Sequence, residues 1–354
     1  MFRVILASVL GFYIGTNFYI SHMLARWLGL RGAGAAVWYG VFALVAGSYF
    51  LTFGSGLPAW LNKSAYLVGG IYMAVYLLLV LLVPFFHLVL RGKNGPMTAG
   101  LLLVLAVIYG GMGVWNAVHI RTTSYTVDGH GAAPMKIALI SDLHVGELIG
   151  PRQVEKMVEA INAIDADIVL MAGDLFDVAG PQAVRNLEEI GEILKGIRSK
   201  QGIYAVFGNH DGGLNGQHSY AAQLMESWGM TLLQDEAAML DGVTIIGRKD
   251  RGKDRLPIAE LMGKVDSESY TIMMDHQPFE LEIGRDNGVD LMVCGHTHGG
   301  QVFPANLVTQ RMYTIDHGIW QSGDFTAIVS SGAGTWGPRM RIGTISEVVE
   351  IIIK

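Results

Sequence analysis

No aspartate or glutamate occurs before Asp128, and the first 120 residues carry only six basic side chains: Arg3, Arg26, Arg31, Lys63, Arg91 and Lys93. Between these lie four uncharged runs, 4–25, 32–62, 64–90 and 94–120. A soluble bundle of four helices needs charge on its solvent faces, whereas a helix crossing a bilayer needs about 20 apolar residues in a row. Residues 1–120 are therefore expected to form a transmembrane region of four helices, with spans near 4–22, 33–53, 66–90 and 97–118. Trp38, Trp60, Tyr66 and Trp115 fall toward run ends, where interfacial aromatics sit, and Pro84 is placed to kink the third span. Gly11 and Gly15 form a small-xxx-small pattern suited to close helix packing. Arg3 followed by an apolar stretch resembles a signal peptide, but there is no clear small-x-small cleavage site and three further spans follow. The first span is read as an anchor.

No span carries a charge in its middle, which disfavours an ion or proton pathway and a transport role. His22 and His87, near run ends, read as interfacial. An even number of spans puts the N-terminus and the C-terminal domain on the same side of a cell membrane crossed several times. Arg26, Arg31, Arg91 and Lys93 face one side against Arg3, Lys63 and Arg121 on the other, a one-residue margin toward an extracytoplasmic C-terminal domain.

The rest of the chain is chemically different. Of 25 basic and 31 acidic residues, 19 basic and all the acidic ones lie in 121–354, so this half is strongly anionic. Nucleic acid is not an expected partner, because its recognition calls for a basic stripe. The single Cys294 excludes a disulfide scaffold, and 51% hydrophobic content excludes a disordered chain. A polar linker is expected over 121–134, followed by a domain over 135–354. There, short apolar runs such as KIALIS (136–141), DIVLMAG (167–173), GIYAVFG (202–208) and VDLMVCG (289–295) alternate with helical patterns over 151–166 and 181–198. That alternation predicts an α/β domain of layered sheets flanked by helices, with a site outside the C-terminal ends of parallel strands.

The ionisable residues collect at those ends. Five apolar runs finish directly in clusters: Asp142-Leu143-His144, Asp174-Leu175-Phe176-Asp177, Asn209-His210-Asp211, Asp275-His276 and His296-Thr297-His298. Five of the 11 histidines lie in them. In an extended segment residues i and i+2 point the same way, so Asp142 with His144, and His296 with His298, are each expected to aim two ligand atoms at one centre. Gly173, Gly208 and Gly295 allow the tight turns this requires. Any one cluster alone reads as an ordinary polar turn. Five at adjacent strand ends would crowd unpaired charge into one crevice, which metal cations resolve. Carboxylate, imidazole and amide ligands without thiolate suit manganese, iron or zinc, and two ions are the natural count for about seven ligands.

In this order, D-x-H, G-D-x-x-D, G-N-H-D, an isolated His and G-H-x-H resemble the calcineurin-like metallophosphoesterases, over about 134–354. The segment SSGAGTWGPRMRIG near the C-terminus is similar to the bacterial membrane-associated branch of that family. The resemblance implies that Asp142, His144, Asp174 and His298 surround one divalent ion. It implies Asp174, Asn209, His276 and His296 around a second, with Asp174 bridging. It further implies His210 as general acid and Asp177 as the acid that orients it. The implied reaction is hydrolysis of a phosphodiester or pyrophosphate by a hydroxide shared between the metals, manganese foremost and iron or zinc as alternatives. A phosphate ester, lipid-linked or from an envelope precursor, is then the expected substrate, and the bilayer the expected partner. The alternatives are a phosphomonoesterase and a catalytically silent metal-binding interaction module.

Other residues are read more plainly. Cys294 is expected to be small and buried. Asp211 orients the metal-site loops or caps the next segment, with nothing to choose between them. Asp275 is a candidate acceptor for a metal-bound imidazole. Arg339 and Arg341 read as a solvated loop in preference to a phosphate grip, and the run from Arg248 to Arg255 reads as solvated too.

Overall fold

The computed structural model describes residues 2–52, 58–90, 95–177, 180–181, 184–212, 218–252, 254–265 and 269–354. Residue 53 of the expected second span, Arg91 and Lys93 of the charge count, and Lys253 of the basic run lie outside the described residues. The chain divides into two compact units, Met1–Trp115 with Gly337–Met340, and Asn116–Trp336 with Arg341–Lys354.

The first unit contains α1 (Phe2–Trp27), α2 (Gly32–Ser48), α3 (Ala59–Leu90) and α4 (Gly95–Val118). Within α1, α3 and α4, the stretches Val4–Trp27, Trp60–Leu90 and Gly95–Val118 are long and apolar enough to cross a membrane. The second helix is shorter than expected. With 17 residues it reaches about 25 Å, less than the ~30 Å hydrocarbon core. Where it ends, the Ser48 hydroxyl donates to the Val45 carbonyl (2.7 Å), and Thr52 does the same to Tyr49 (2.7 Å) in the 3₁₀ turn that follows. Ile20, Leu24, Leu79, Val83 and Leu102 form the apolar core of the unit. Polar side chains join the helices: Thr16 Oγ1 bonds Tyr76 OH at 2.7 Å, and the Tyr72 hydroxyl donates to Asn17. His22 and His87 pair with Tyr39 (3.0 Å) and Tyr19 (2.7 Å), so both histidines serve helix packing.

The second unit is built on two six-stranded sheets. Numbered in chain order, β1 (Ile120–Val127), β2 (Met135–Ile140), β3 (Ile168–Ala172), β4 (Ile203–Val206), β5 (Met230–Leu232) and β12 (Ser346–Ile353) form one sheet, in the order β1-β12-β2-β3-β4-β5. The other, in the order β10-β11-β9-β8-β7-β6, comprises β6 (Glu236–Leu240), β7 (Val243–Gly247), β8 (Tyr270–Met274), β9 (Leu291–Cys294), β10 (Gly318–Ser322) and β11 (Phe325–Val329). Strands β2 to β5 are parallel, as are β7, β8, β9 and β11, while β12, β6 and β10 join antiparallel. The segment expected to be a linker instead carries β1, which pairs along its whole length with β12. Its Thr, Ser and Tyr residues suit an edge strand with one wet face, and Thr123 and Ser124 donate to Glu347 (2.5 Å) and Glu350 (2.6 Å) on β12.

Between the sheets, Ile137, Leu139, Ile168 and Leu170 meet Ile245, Ile272, Met274 and Val293 in a dry core. Outside the first sheet lie α5 (Pro151–Ala163), α6 (Leu187–Leu194) and α7 (His218–Ser227), through Val154, Met157, Ile161, Ile190, Leu194 and Met225. Outside the second lie α8 (Ile258–Met262) and α9 (Leu281–Asp286). Strands β3 and β9 are buried on both faces, hence their unbroken apolar runs. Of the helix expected over 181–198, α6 forms Leu187–Leu194 behind Asn186, which adopts the left-handed region (φ 58°), while residues 182 and 183 lie outside the described residues. Each of the five charged clusters follows a strand, namely β2, β3, β4, β8 and β9.

Candidate metal centre

The backbone turns sharply where it leaves the strands. Asp142, His144, Asp174, His296 and His298 all have φ between 48° and 73°, the left-handed region that costs a non-glycine residue about 1–3 kcal/mol. Asp142 and His144 therefore do not converge by the alternation of an extended strand, and neither do His296 and His298. Each is aimed by its own left-handed turn. Backbone bonds between neighbouring loops hold the turns: Asp142 N donates to Gly173 O (2.9 Å), and His144 N donates to Asp174 O (3.0 Å). Asp211 is fully buried and accepts from the amides of Gly208 (2.7 Å), Asp174 (2.9 Å) and Phe176 (3.0 Å). It locks the loops after β3 and β4 together. Burial, with the neighbouring Asp174 charge adding to it, pushes its carboxyl up to about 7. Glycine is required at two further points, since a Cβ at Gly208 would collide with Asp174 Oδ1 and one at Gly295 with Asp142 Oδ2.

Two groups of ligand atoms result. Asp142, His144 and His298 form the first and Asp174, His276 and His296 the second, each with its donor atoms within 4.8 Å of one another. In the first, the Nε2 atoms of His144 and His298 are 3.1 Å apart, with Asp142 Oδ1 at 3.9 and 3.6 Å from them. In the second, Asp174 Oδ2 and Asn209 Oδ1 approach His276 Nε2 to 3.1 and 3.2 Å. The same Asp174 oxygen is 3.8 Å from His144 Nε2, which places it between the groups. His210 stands at the edge, its Nε2 4.0 Å from Asp174 Oδ2 and its amide donating to Asp174 Oδ1 (2.8 Å). Asp177 lies 4.0 Å from Nδ1 of His144.

The donor chemistry fits two divalent cations. His276 Nδ1 lies 2.8 Å from the Ala172 carbonyl, and a proton donated there leaves Nε2 a lone pair facing two oxygen acceptors. In the neutral ring these three acceptors lack a positive charge, which either a divalent cation or a second proton on His276 supplies. Burial opposes charge on His276, yet the carboxylates of Asp174 and Asp142 raise its pKa well above the usual imidazole range. Burial drives His144 down to about 3 and His296 to about 4, which keeps both as neutral ligands. Burial pushes Asp142 up to about 6.

Three sequence expectations are corrected here. Asp275 serves no imidazole, since the acceptor beside His276 Nδ1 is Ala172 O. Its buried carboxylate instead pairs with Arg248 (2.8 Å) and Arg255, while Arg248 also reaches Glu280 (2.7 Å). The run from Arg248 to Arg255 is thus not a solvated loop at its ends: Arg248 is 1% exposed and holds the segment before His276. Arg341 is no surface residue either. Fully buried, it donates to the carbonyls of Ser331 (2.6 Å), Gly332 (3.1 Å) and Gly334 (2.7 Å) and to Thr344 Oγ1 (3.2 Å), and it lies 3.4 Å from the His298 carbonyl and 3.2 Å from His298 Nδ1. A guanidinium suits this work because its five donors are fixed in one plane. Cys294 is a buried end-of-strand thiol, as expected.

These strand-end clusters, in this order on a two-sheet α/β frame, define a dinuclear metallophosphoesterase type of domain. Residues 135–300 match the family model of the calcineurin-like phosphoesterases, and apolar helices of membrane-spanning length stand on the same chain. It is 34% identical over 226 residues to a metallophosphoesterase of Helicobacter pylori strain J99, covering 60% of this chain and 58% of that one. A metallophosphoesterase of Aquifex aeolicus is 29% identical over 71% of this chain and 98% of its own. A zebrafish transmembrane protein with metallophosphoesterase domain is 26% identical over 62% of this chain and 53% of its own. The chain thus spans less than two thirds of the length of the Helicobacter relative.

Proposed function

We propose that the protein is a membrane-anchored, metal-dependent phosphoesterase that cleaves a phosphodiester or pyrophosphate bond in a lipid-linked substrate. The observation that carries this reading is the pair of buried ligand groups with Asp174 Oδ2 between them, 3.1 Å from His276 Nε2 and 3.8 Å from His144 Nε2. Asp142, His144, Asp174 and His298 would hold one ion, and Asp174, Asn209, His276 and His296 the other. Divalent ions bound there polarise phosphoryl oxygens and make a nucleophile available at neutral pH.

The chain's own groups do the rest. Asp142 and Asp174 set the charge of the site, while neutral His144, His296 and His298 bind without adding to it. His210, beside Asp174 and outside both ligand groups, is placed to give a proton to the leaving oxygen. Its amide bond to Asp174 ties the acid to the carboxylate between the two groups. Asp177 is assigned to orienting His210, as the resemblance implies, and it also lies 4.0 Å from His144 Nδ1. The lipid-linked substrate is supported by the apolar helical unit on the same chain.

The test is hydrolysis by the detergent-purified full chain of a phosphodiester, a phosphomonoester and a lipid-linked pyrophosphate, with and without chelator, beside Asp174→Asn. Turnover that needs both metal and Asp174 is expected, with the diester or pyrophosphate preferred. Preference for the monoester would make the protein a phosphomonoesterase. Absence of turnover from protein holding two metals by elemental analysis would overturn the enzymatic reading.

A further inference from the structure

Trp336 is held in an unusual way. The side-chain amide of Gln301 accepts from Trp336 N at 3.0 Å and donates to Trp336 O at 2.8 Å, fixing the tryptophan backbone at both of its polar atoms. Gln301 is itself 9% exposed and follows directly on the His298–Gly300 turn, so the clamp ties Trp336 to the loop that carries a ligand of the first metal group. Yet Trp336 is 53% exposed. Its ring lies 6.2 Å from that of His210 at an angle of 31°. A large aromatic surface left exposed while its backbone is pinned is a feature of contact sites, where the ordering entropy is lost before the ligand arrives.

Position gives that surface a use. A leaving group that takes its proton from His210 must sit against His210, and among the described residues the indole is an exposed aromatic beside that ring. We infer that Trp336 is a specificity-determining residue, a fixed apolar platform that selects phosphate esters whose leaving group carries a flat or apolar body next to the ester oxygen. The inference rests on the phosphoester reading of the metal centre and narrows its substrate class. Stacking on an indole face favours such bodies and does nothing for a methyl group, which is too small to cover it.

Phosphonates that are not hydrolysed test this without turnover. Phenylphosphonate and methylphosphonate are titrated calorimetrically into the manganese-loaded full chain in detergent, as wild type, Trp336→Ala and Trp336→Phe, with metal content measured for each. The wild type is expected to bind phenylphosphonate about ten-fold more tightly than methylphosphonate. Trp336→Ala should lose most of that preference while holding the same metal and binding methylphosphonate within about two-fold of wild type, and Trp336→Phe should keep most of it. An unchanged preference in Trp336→Ala, or equal weakening of both ligands, would overturn the inference; the second is what a purely structural or membrane-interface tryptophan would give. If the metal-loaded wild type binds neither phosphonate, the phosphoester reading falls and this inference with it.

Discussion

The Nε2 atoms of His144 and His298 face each other at 3.1 Å in a buried site, with Asp142 Oδ1 within 4 Å of both. At most one shared proton satisfies that pair, and the buried Asp142 carboxylate beside it accepts from the His296 amide (3.0 Å) but from neither imidazole within hydrogen-bonding distance. A divalent cation satisfies all three atoms at once. His298→Ala is therefore expected to lower bound metal from two ions to about one per chain and to cut turnover by more than ~100-fold, beyond the 10–100-fold typical of residues that only support a metal ligand. Elemental analysis of the purified variant, read beside its hydrolysis rate, checks both parts. Full metal content would remove His298 from the ligand set.

Metal binding should also depend on pH in a defined direction. Ligands bind metal in their deprotonated form, so protons compete. Asp142 is raised to about 6 by burial, and His276 is held well above the ordinary imidazole range by Asp174. Both must lose a proton when metal enters. Apparent metal affinity is expected to be weak at pH 5, to rise steeply from pH 6 to 8, and to be accompanied by proton release. Titrations in buffers of different ionisation enthalpy measure that release. Affinity independent of pH over this range would contradict the burial of charge described for the site.

Arg341 supplies a prediction about stability that the catalytic residues do not. It has no carboxylate among its hydrogen-bond partners, and its donors bridge three carbonyls of the 331–334 loop to His298. Removing it leaves several buried acceptors unsatisfied at ~1–3 kcal/mol each, so Arg341→Met is expected to cost about 3 kcal/mol or more. Arg341→Lys should recover only part, because one ammonium cannot span the same fork. Thermal unfolding of metal-stripped protein isolates this loss from that of metal. A melting temperature within a degree of wild type would show that the loop holds itself.

The clustering of these side chains was legible because type and position coincide: Asp142, Asp174, Asn209, His276 and His296 each stand just past an apolar run, and parallel strands gather such ends on one edge. How they converge was not legible. The spacing suggested alternation along a strand, whereas left-handed turns at Asp142, His144, His296 and His298 do the aiming. Such conformations are imposed by the surrounding loops, and nothing in the local sequence announces them. Arg248 and Arg341 looked like surface cations because what buries them comes from elsewhere, Asp275 and Glu280 in one case and loop carbonyls in the other. β1 looked like a linker because its partner, β12, lies some 220 residues away.

His210 separates chemistry from metal holding. It belongs to neither ligand group, its Nε2 sits 4.0 Å from Asp174 Oδ2, and only its amide bonds the carboxylate. Replacing its side chain keeps that backbone bond, so His210→Ala should retain both metals. A general acid matters in proportion to how badly the leaving oxygen needs a proton, and its contribution is typically 10²–10⁴-fold. An alkyl phosphodiester, whose alkoxide leaves poorly, is expected to lose about 100-fold or more in kcat, and a p-nitrophenyl ester less than about ten-fold. The comparison is internal to one variant, which makes it insensitive to partial misfolding. Equal losses on the two substrates, with metal retained, would assign His210 to binding the phosphoryl group and leave the leaving group to take its proton from water.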